Sequence, residues 1–262
     1  MTLAAFRVNP VSGSLSSPCG EAGPGANGAD GSWTQLPLKE RYMYCKLTNE
    51  YNRTRDGFTN CLQWGVGVTH EASGYGHTLY SDKWIYCYAD PLIAVLRDCQ
   101  EGRYCPFAHL WECLGEGEHL SDGLKWGFKK LTTLRELPLP KVTAEQRVRW
   151  GILCSLEVYK EQRYVQWAQR WLRGTGRKAT TSIQKIIYAA YDDTHGSPAA
   201  AMAAYHAAMA AYSIAKCAVV SLITTMSNAS KAAGHAADAA EVDGPVIDFA
   251  ALAHRAIAED CD

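Results

Sequence analysis

The sequence predicts an α+β protein: a small, aromatic-rich domain of mixed or antiparallel strands with one or two helices, followed by an all-α helical region. Two observations predict this class. Aromatic residues, glycines and short alternating runs are concentrated between residues 42 and 140, and such runs are typical of half-buried strands. From about residue 142 onward, apolar residues recur at helical spacing and alanine becomes abundant.

The average composition is that of an ordinary globular protein, and it excludes several classes of function. The chain has 262 residues, of which 47% are hydrophobic and 20% charged, and its formal net charge is -1. A net charge near zero argues against bulk nucleic-acid binding. No stretch reaches the roughly 18 apolar residues of a membrane span, so we expect no membrane partner.

Composition divides the chain into four segments. Residues 1–41 are rich in glycine, serine and proline and are predicted to be a disordered tail, because they bury too little apolar surface to offset the entropy of ordering. Met43 opens the first strand-like run and is a candidate for the true start of the protein. We predict the α+β domain over 42–140, a helical pair over 141–174 and an alanine-rich helical tail over 175–262.

Short apolar and aromatic runs in the α+β domain predict its strands, and one proline marks its main helix. Asp90 precedes Pro91 and an apolar run, which is the pattern of an N-cap followed by proline at the first helical position. The predicted strands cover 42–47, 83–87, 109–114 and 131–137.

Helix signals dominate the rest of the chain. Thr143 and Gln146 form a capping-box pattern in front of the first helix of the pair. Further helices are predicted over 162–172 and 181–191, and a last one follows the break at Gly244-Pro245.

Ser197-Pro198 is predicted to open one long alanine-rich helix. Its larger apolar residues fall at a and d positions of a heptad, a pattern that predicts packing in a bundle or self-association through 198–233. These residues are Met202, Tyr205, Met209, Tyr212, Val219, Ile223 and Met226.

The ten cysteines contain no C-x-x-C pair, so the common zinc-ribbon and thioredoxin patterns are missing. Cys99, Cys105, His109 and Cys113 could together supply the three sulfurs and one nitrogen of a tetrahedral zinc site. Their spacing is irregular, however, and reduced cysteines packed as small hydrophobic residues are the favoured interpretation.

The candidate ligand-binding residues are concentrated in 74–90. Alternation along a strand places Trp84, Tyr86 and Tyr88 on one face. An aromatic face that leads into a helix N-terminus can stack a nucleobase and offer amides to a phosphate. The candidate ligand-binding set comprises Lys46, His77, Trp84, Tyr86, Tyr88 and Asp90; the competing interpretation is a purely structural aromatic core.

Several strings resemble an uncharacterised family found in bacteriophages and prophages. They include CKLTNE (45–50), GFTNCLQWGVG (57–67), GYGHTLYSDKWIYCYADPLIAVLRD (74–98), HLWECLGEGE (109–118), SDGLKWGFKKLTTLRELPLP (121–140) and VTAEQRVRWGILCSLEVYKEQRYVQWAQRWLRG (142–174). The resemblance implies an α+β domain of unknown function with alanine-rich helices after it. It also implies a phage accessory protein in the host cytoplasm, and it agrees with a start at Met43, because members begin just before the KLTNE strand.

The strand, turn and Asp-Pro helix start also resemble ADP-ribosyltransferase-like folds, which use NAD. That resemblance implies Lys46 or Thr48 as the polar residue of the first strand and Ala94 as the alanine packed on the nicotinamide pocket. These enzymes also have a late catalytic glutamate, and the corresponding run 123–127 has none.

Three functional hypotheses follow. The leading one is a non-enzymatic binding module for a host protein or a nucleotide-like ligand, without a cofactor. The alternatives are an ADP-ribosyltransferase-like enzyme, or its degenerate nucleotide-binding relative, and a structural oligomerisation protein. The acidic residues Glu112, Glu116 and Glu118 could perform acid–base chemistry, and the basic cluster of Lys125, Lys129, Lys130 and Arg135 could contact phosphate. Solvated strand surfaces are the favoured interpretation of both groups.

Overall fold

The computed structural model describes residues 44–55, 57, 60–97, 107–178, 180–195, 198–216, 221–241 and 244–258. The predicted tail over 1–41, the candidate start at Met43, and Cys99, Cys105 and Val219 lie outside these ranges. Residues from Tyr42 onward belong to one compact unit.

The structure confirms the α+β class. The strands are β1 (Tyr44–Thr48), β2 (Arg53–Thr54), β3 (Leu62–Gln63), β4 (Thr69–Glu71), β5 (Ile85–Cys87), β6 (His109–Ser121) and β7 (Trp126–Leu137). The helices are α1 (Pro91–Arg97), α2 (Ala144–Val158), α3 (Gln162–Leu172), α4 (Thr180–Asp192), α5 (Pro198–Ala215), α6 (Ser221–Glu241) and α7 (Phe249–Ala258).

The main sheet closes on itself. β6 pairs antiparallel with β1 and with β7, and β7 pairs antiparallel with β5. The residue after β5 then returns to β1, because Cys45 and Tyr88 exchange two backbone hydrogen bonds of 2.7 and 2.8 Å. The strands therefore form a small barrel-like ring with an inner and an outer face.

Alternation along the strands gives each face its own core. On the inner face, Tyr44 packs with Phe128, Cys87 and Cys113. On the outer face, Cys45 belongs to a cluster shared with α1, α2, α6 and α7. The outer core thus includes residues from all three predicted segments 42–140, 141–174 and 175–262 and crosses the boundaries drawn at 140 and 174.

Two predicted strands are longer than expected because their glycines lie inside the strand. β6 continues from the predicted end at residue 114 through Ser121, and β7 begins five residues before the predicted start at 131. A Cβ on Gly115 would come within 2.5 Å of the Phe128 ring, so glycine is required where the ring crosses the strand. The short strands β2, β3 and β4 were not predicted.

Both predicted helix caps are present. The Asp90 carboxylate accepts hydrogen bonds from the backbone amides of Leu92 and Ile93 at 2.7 and 3.2 Å. Thr143 and Gln146 form a complete capping box. These local patterns position α1 and α2 against the sheet.

The single long helix predicted from Ser197-Pro198 is wrong: the segment forms two helices, α5 and α6. Their alanines, and not the heptad residues alone, make the buried surfaces, and several have no exposed area. α5 and α6 pack on each other, on α2 and, for α5, on α4. These faces are occupied within the chain, so self-association through 198–233 would use other faces and stays a prediction.

Among the described residues, no helix combines the length and the apolar character that crossing a membrane requires.

Candidate functional site

A cavity of about 540 Å³ lies beside β1 and β5. Its other walls are the β2–β3 hairpin, residues 71–74, the end of α1 and the start of β7. The volume falls within the range of about 300–1,000 Å³ that is typical of small-molecule sites.

The cavity lies next to the weakest pairing in the strand ring. Among the described backbone pairs, β1 meets the β5 segment at the Cys45–Tyr88 bridge. Next to this bridge, the Lys46 side chain spans the two strands, with Nζ donating to the Tyr86 carbonyl oxygen at 2.5 Å. The same ammonium lies 5.4 Å from the centroid of the Trp64 ring. A buried cation thus marks the inner wall of the cavity.

Three aromatic side chains of the β5 segment line the cavity. Trp84 and Tyr88 are buried, and Tyr86 is partly buried. The indole N–H of Trp84 donates to the Thr78 carbonyl at 3.0 Å, and the Tyr86 hydroxyl donates to the Ser81 carbonyl at 3.0 Å. These hydrogen bonds hold the Trp84 and Tyr86 rings in fixed orientations.

Positive charge predominates in the described lining. It contains five cationic side chains and two carboxylates, a surplus of three positive charges. The cations are Lys46, Arg53, Arg55, Arg97 and Lys125, and the carboxylates are Glu71 and Asp82. Such a surplus favours an anionic ligand.

Two of these cations lie beside the Tyr86 ring. The Arg55 guanidinium is 6.0 Å and the Lys125 ammonium 5.6 Å from the ring centroid. Arg55 has a φ of 55°, in the left-handed region that non-glycine residues rarely adopt, and it pairs with Asp82 at 3.4 Å. Cationic groups therefore adjoin an aromatic surface within one cavity.

A tight turn places Lys125 at this site. The Asp122 carboxylate accepts hydrogen bonds from the amides of Leu124 and Lys125 at 2.9 and 2.6 Å, and Gly123 has a φ of 83°. The turn joins β6 to β7, so this hairpin of the strand ring also delivers a cation to the cavity. The Lys125 ammonium lies 5.5 Å from the centroid of the Tyr80 ring as well.

Arg97, the last residue of α1, lines the cavity although it is only 2% exposed. Its Nη1 donates to the carbonyl and to the hydroxyl of Ser230 on α6, both at 3.0 Å. The Ser230 hydroxyl donates in turn to the Arg97 carbonyl at 2.7 Å. The Tyr80 phenol lies beside the guanidinium and interacts with it.

Burial keeps the nearby acidic hydroxyls and thiols in their neutral forms. It raises the pKa of Tyr80 and of Tyr86, and this effect outweighs the neighbouring arginines Arg97 and Arg55, which lower the two pKa values. It also raises the pKa of the thiols of Cys45, Cys87 and Cys154. The described lining contains no histidine or cysteine, so it offers no thiolate or imidazole for nucleophilic catalysis.

The structure brings together four of the six predicted ligand-binding residues. Lys46, Trp84, Tyr86 and Tyr88 line the cavity, whereas His77 is exposed and is not among the described lining residues.

The sixth, Asp90, is also not among the lining residues. It caps α1, and its second oxygen lies 2.9 Å from His254 Nε2.

Of the four predicted zinc ligands, the two that the structure describes, His109 and Cys113, do not share a site. His109 and Cys113 are four residues apart on β6, which corresponds to about 13 Å along a strand. His109 pairs with Glu136 at 2.6 Å, and Cys113 is buried in the inner core. No group of three or more metal-ligating side chains occurs within the described ranges.

Sequence reasoning missed most of the cavity's charges. The sequence pattern favours a solvated strand surface for Lys125, and no local pattern marks Arg53, Arg55, Glu71 or Arg97 as cavity residues. Ala94, the residue that the transferase resemblance places on a nicotinamide pocket, belongs to the outer core and is not among the described lining residues. The paired acidic residues instead bridge to bases: Glu112 to Arg135, Glu116 to Lys130 and Glu118 to Lys83.

Comparisons of the chain with protein-family models, with curated proteins and with solved structures found no match. The class of molecule is therefore defined by its fold and its site: an α+β protein with a cation-rich, aromatic-lined cavity beside a closed sheet.

Proposed function

We propose that this protein is a non-enzymatic binding module whose ligand is nucleotide-like, with a flat aromatic part and a phosphate or similar anionic part. The observation that carries the proposal is the surplus of three positive charges that the described lining residues place around aromatic rings in one cavity of about 540 Å³. Arginine and lysine bind phosphate oxygens through charge-assisted hydrogen bonds. Base stacking on an aromatic side chain contributes about 1–3 kcal/mol per base.

Binding is preferred over catalysis because of the groups that surround the cavity. Its described side chains suit recognition of charge and shape, and burial raises the pKa of the nearby tyrosines and thiols. Neutral phenols donate hydrogen bonds at neutral pH but are poor nucleophiles.

A second candidate function is an NAD-using transferase, and one observation favours it. Glu71 lies in the cavity lining, so a carboxylate is available although the run 123–127 lacks one. Incubation with labelled NAD and cell lysate tests this candidate: transfer of label that is lost on Glu71→Gln would support it, and no label beside an active control enzyme would refute it.

The biological setting in the proposal is a phage accessory protein that acts in the host cytoplasm. Its support is the resemblance of the strings over 45–174 to the phage and prophage family. The genes that flank the coding sequence test this part: phage genes on both sides are expected, and a purely bacterial operon would contradict it.

Thermal unfolding in the presence of a probe panel tests the binding function. The panel is inorganic phosphate, pyrophosphate, adenosine, AMP, ADP and NAD, with the guanine compounds in parallel. A ligand that binds only the native state contributes about 2.7 kcal/mol at a concentration of 100 Kd. We expect the midpoint to rise with phosphate-bearing compounds, and to rise less at high salt because the attraction is electrostatic.

A matched pair of variants tests whether the ligand binds in the cavity. Lys125→Gln removes a lining charge, and Lys141→Gln removes an exposed charge that is not among the lining residues. We expect Lys125→Gln to weaken binding about tenfold or more, as for the loss of a hydrogen bond to a charged group, and Lys141→Gln to leave it unchanged. An unmoved midpoint with every compound would overturn the proposal.

A further inference from the structure

We infer that Arg97 binds the anionic group of the ligand and that Ser230 and Gly234 on α6 are positioning residues for its guanidinium. The inference rests on the proposed function and deepens it, because it assigns the two ends of the ligand to two ends of the cavity. It also gives the alanine-rich helices a role in recognition.

The first argument is the burial of an arginine without a counter-charge. Arg97 is 2% exposed and lines the cavity. Among the described residues, no carboxylate lies within salt-bridge distance of it, and its Nε has no hydrogen-bond acceptor. A buried charge without a counter-charge is strongly unfavourable, and a ligand oxyanion would supply a negative charge that the described residues do not place within salt-bridge distance of Arg97.

Arg147 shows that burial alone does not define this role. It is 1% exposed, and its Nη1 donates to the Val95 carbonyl at 2.8 Å. It is not among the described lining residues, whereas Arg97 is. Arg97 can therefore contact a ligand in the cavity, whereas Arg147 supports the packing of α2 on α1.

The second argument is the fit of α6 around the guanidinium. Ser230 accepts two hydrogen bonds from Nη1, one through its carbonyl and one through its hydroxyl. One turn further on, a Cβ on Gly234 would lie 2.9 Å from Nη2 and 3.3 Å from Cζ. Ser230 thus holds one edge of the guanidinium, and Gly234 leaves the space that it needs.

Neighbouring groups place the anionic end of the ligand here. The Tyr80 phenol interacts with Arg97 and donates to the Asp122 carboxylate at 3.4 Å, and the Lys125 ammonium lies 5.5 Å from the Tyr80 ring and 5.6 Å from the Tyr86 ring. Two cations, a neutral phenol and one carboxylate therefore cluster at this end. The Tyr86 ring next to them is the surface for the aromatic part.

Calorimetric titration of the full-length protein with ADP, adenosine and pyrophosphate tests the inference. The readout is the ratio of ADP affinity to adenosine affinity, which loss of stability alone does not change. Arg97→Gln is expected to lower this ratio, and the pyrophosphate affinity, at least tenfold. Ser230→Ala and Gly234→Ala are expected to lower both several-fold, because they misplace the same guanidinium without removing its charge.

Two control variants have similar structural costs but no contact with Arg97. Ser213→Ala removes a buried hydroxyl on α5 that donates to the Met209 carbonyl at 2.9 Å. Phe128→Leu removes part of a buried ring in the inner core. Both should leave the ratio unchanged while lowering the unfolding midpoint.

The outcomes separate the two proposals. If the wild-type protein binds neither ADP nor pyrophosphate, the proposed function fails and this inference falls with it. If the wild-type protein binds them and Ser230→Ala and Gly234→Ala keep the wild-type ratio, only the positioning role is overturned. If a folded Arg97→Gln also keeps that ratio, the anion contact is overturned as well.

Discussion

The inner core of the strand ring and the core between the alanine-rich helices differ in the size of their side chains. Inside the strand ring, aromatic side chains pack against one another. The Phe128 ring centroid lies 4.7 Å from that of Tyr44, in an edge-to-face arrangement, and 6.1 Å from that of Trp126, in a stacked one. Between α5 and α6 the buried surface consists mainly of alanine, whose side chain buries little area. One region fills space with large side chains, and the other removes it by close approach of backbones.

This difference explains where the cavity lies and what supports it. The ring leaves space beside the Cys45–Tyr88 bridge, and long polar side chains converge on that space. The helices approach the sheet closely enough for Ser230 to bond directly to a lining arginine. The aromatic region thus forms the site, and the alanine region fixes one of its charges.

The largest expected effect comes from removing a ring from the inner core. Phe128→Ala should lower the free energy of unfolding by about 3–5 kcal/mol, because Phe128 is only 4% exposed and its loss leaves a cavity. Urea unfolding followed by tryptophan fluorescence measures the loss. Phe128→Leu is the control and should cost clearly less; a cost below about 1 kcal/mol for Phe128→Ala would contradict close packing in the ring.

The core between the alanine-rich helices should be destabilised by larger side chains, whereas the inner core is destabilised by smaller ones. Ala229→Leu is expected to destabilise by about 1–3 kcal/mol, since Ala229 is fully buried where α6 approaches Gly151 on α2. Ala251→Leu, at an exposed position of α7, is the matched control and should stay within about 0.5 kcal/mol of wild type. Equal effects of the two variants would show that the helices are not closely packed.

Acidification should weaken the helical core through a buried histidine. Burial lowers the pKa of His206 to about 4, below its ordinary value near 6.5. The groups that face it are Asn228, whose side-chain oxygen is 2.9 Å from Nδ1, the stacked His235 ring, Tyr205 and Lys231.

The folded state holds His206 neutral because its pKa is lowered. Its contribution to the free energy of unfolding is therefore complete above about pH 6.5 and is lost as the pH falls toward 4. We expect a loss of about 1–2 kcal/mol between pH 7 and pH 5. His206→Gln should reduce this loss; the same pH dependence in both proteins would contradict the assignment.

The sequence predicts the local features of this molecule well. The N-cap Asp90 and the box formed by Thr143 and Gln146 depend on residues close in sequence, and both are present. The aromatic strand around Tyr86 follows from alternation over a few residues. Each of these patterns is complete within a single element.

The remaining features depend on contacts between distant residues, which no local pattern contains. Arg55 and Lys125 lie 70 positions apart in the chain and meet at the Tyr86 ring because the strand ring closes. Gly115 resembles a strand end in the sequence, although it lies under the Phe128 ring. Arg97 gains its place in the cavity from Ser230, which belongs to a different segment.

The most direct test of the account is the response of the indole N–H signals in a ¹⁵N-labelled sample titrated with ADP and with pyrophosphate. Trp84 lines the cavity, while Trp171 is buried in the helical core and serves as the internal reference. The account predicts a saturable shift of the Trp84 signal with ADP, larger than with pyrophosphate because a stacked base adds a ring current, and no shift at Trp171. A Trp84 signal that stays fixed at saturating ADP, or shifts that appear at Trp171 instead, would contradict a ligand site in this cavity.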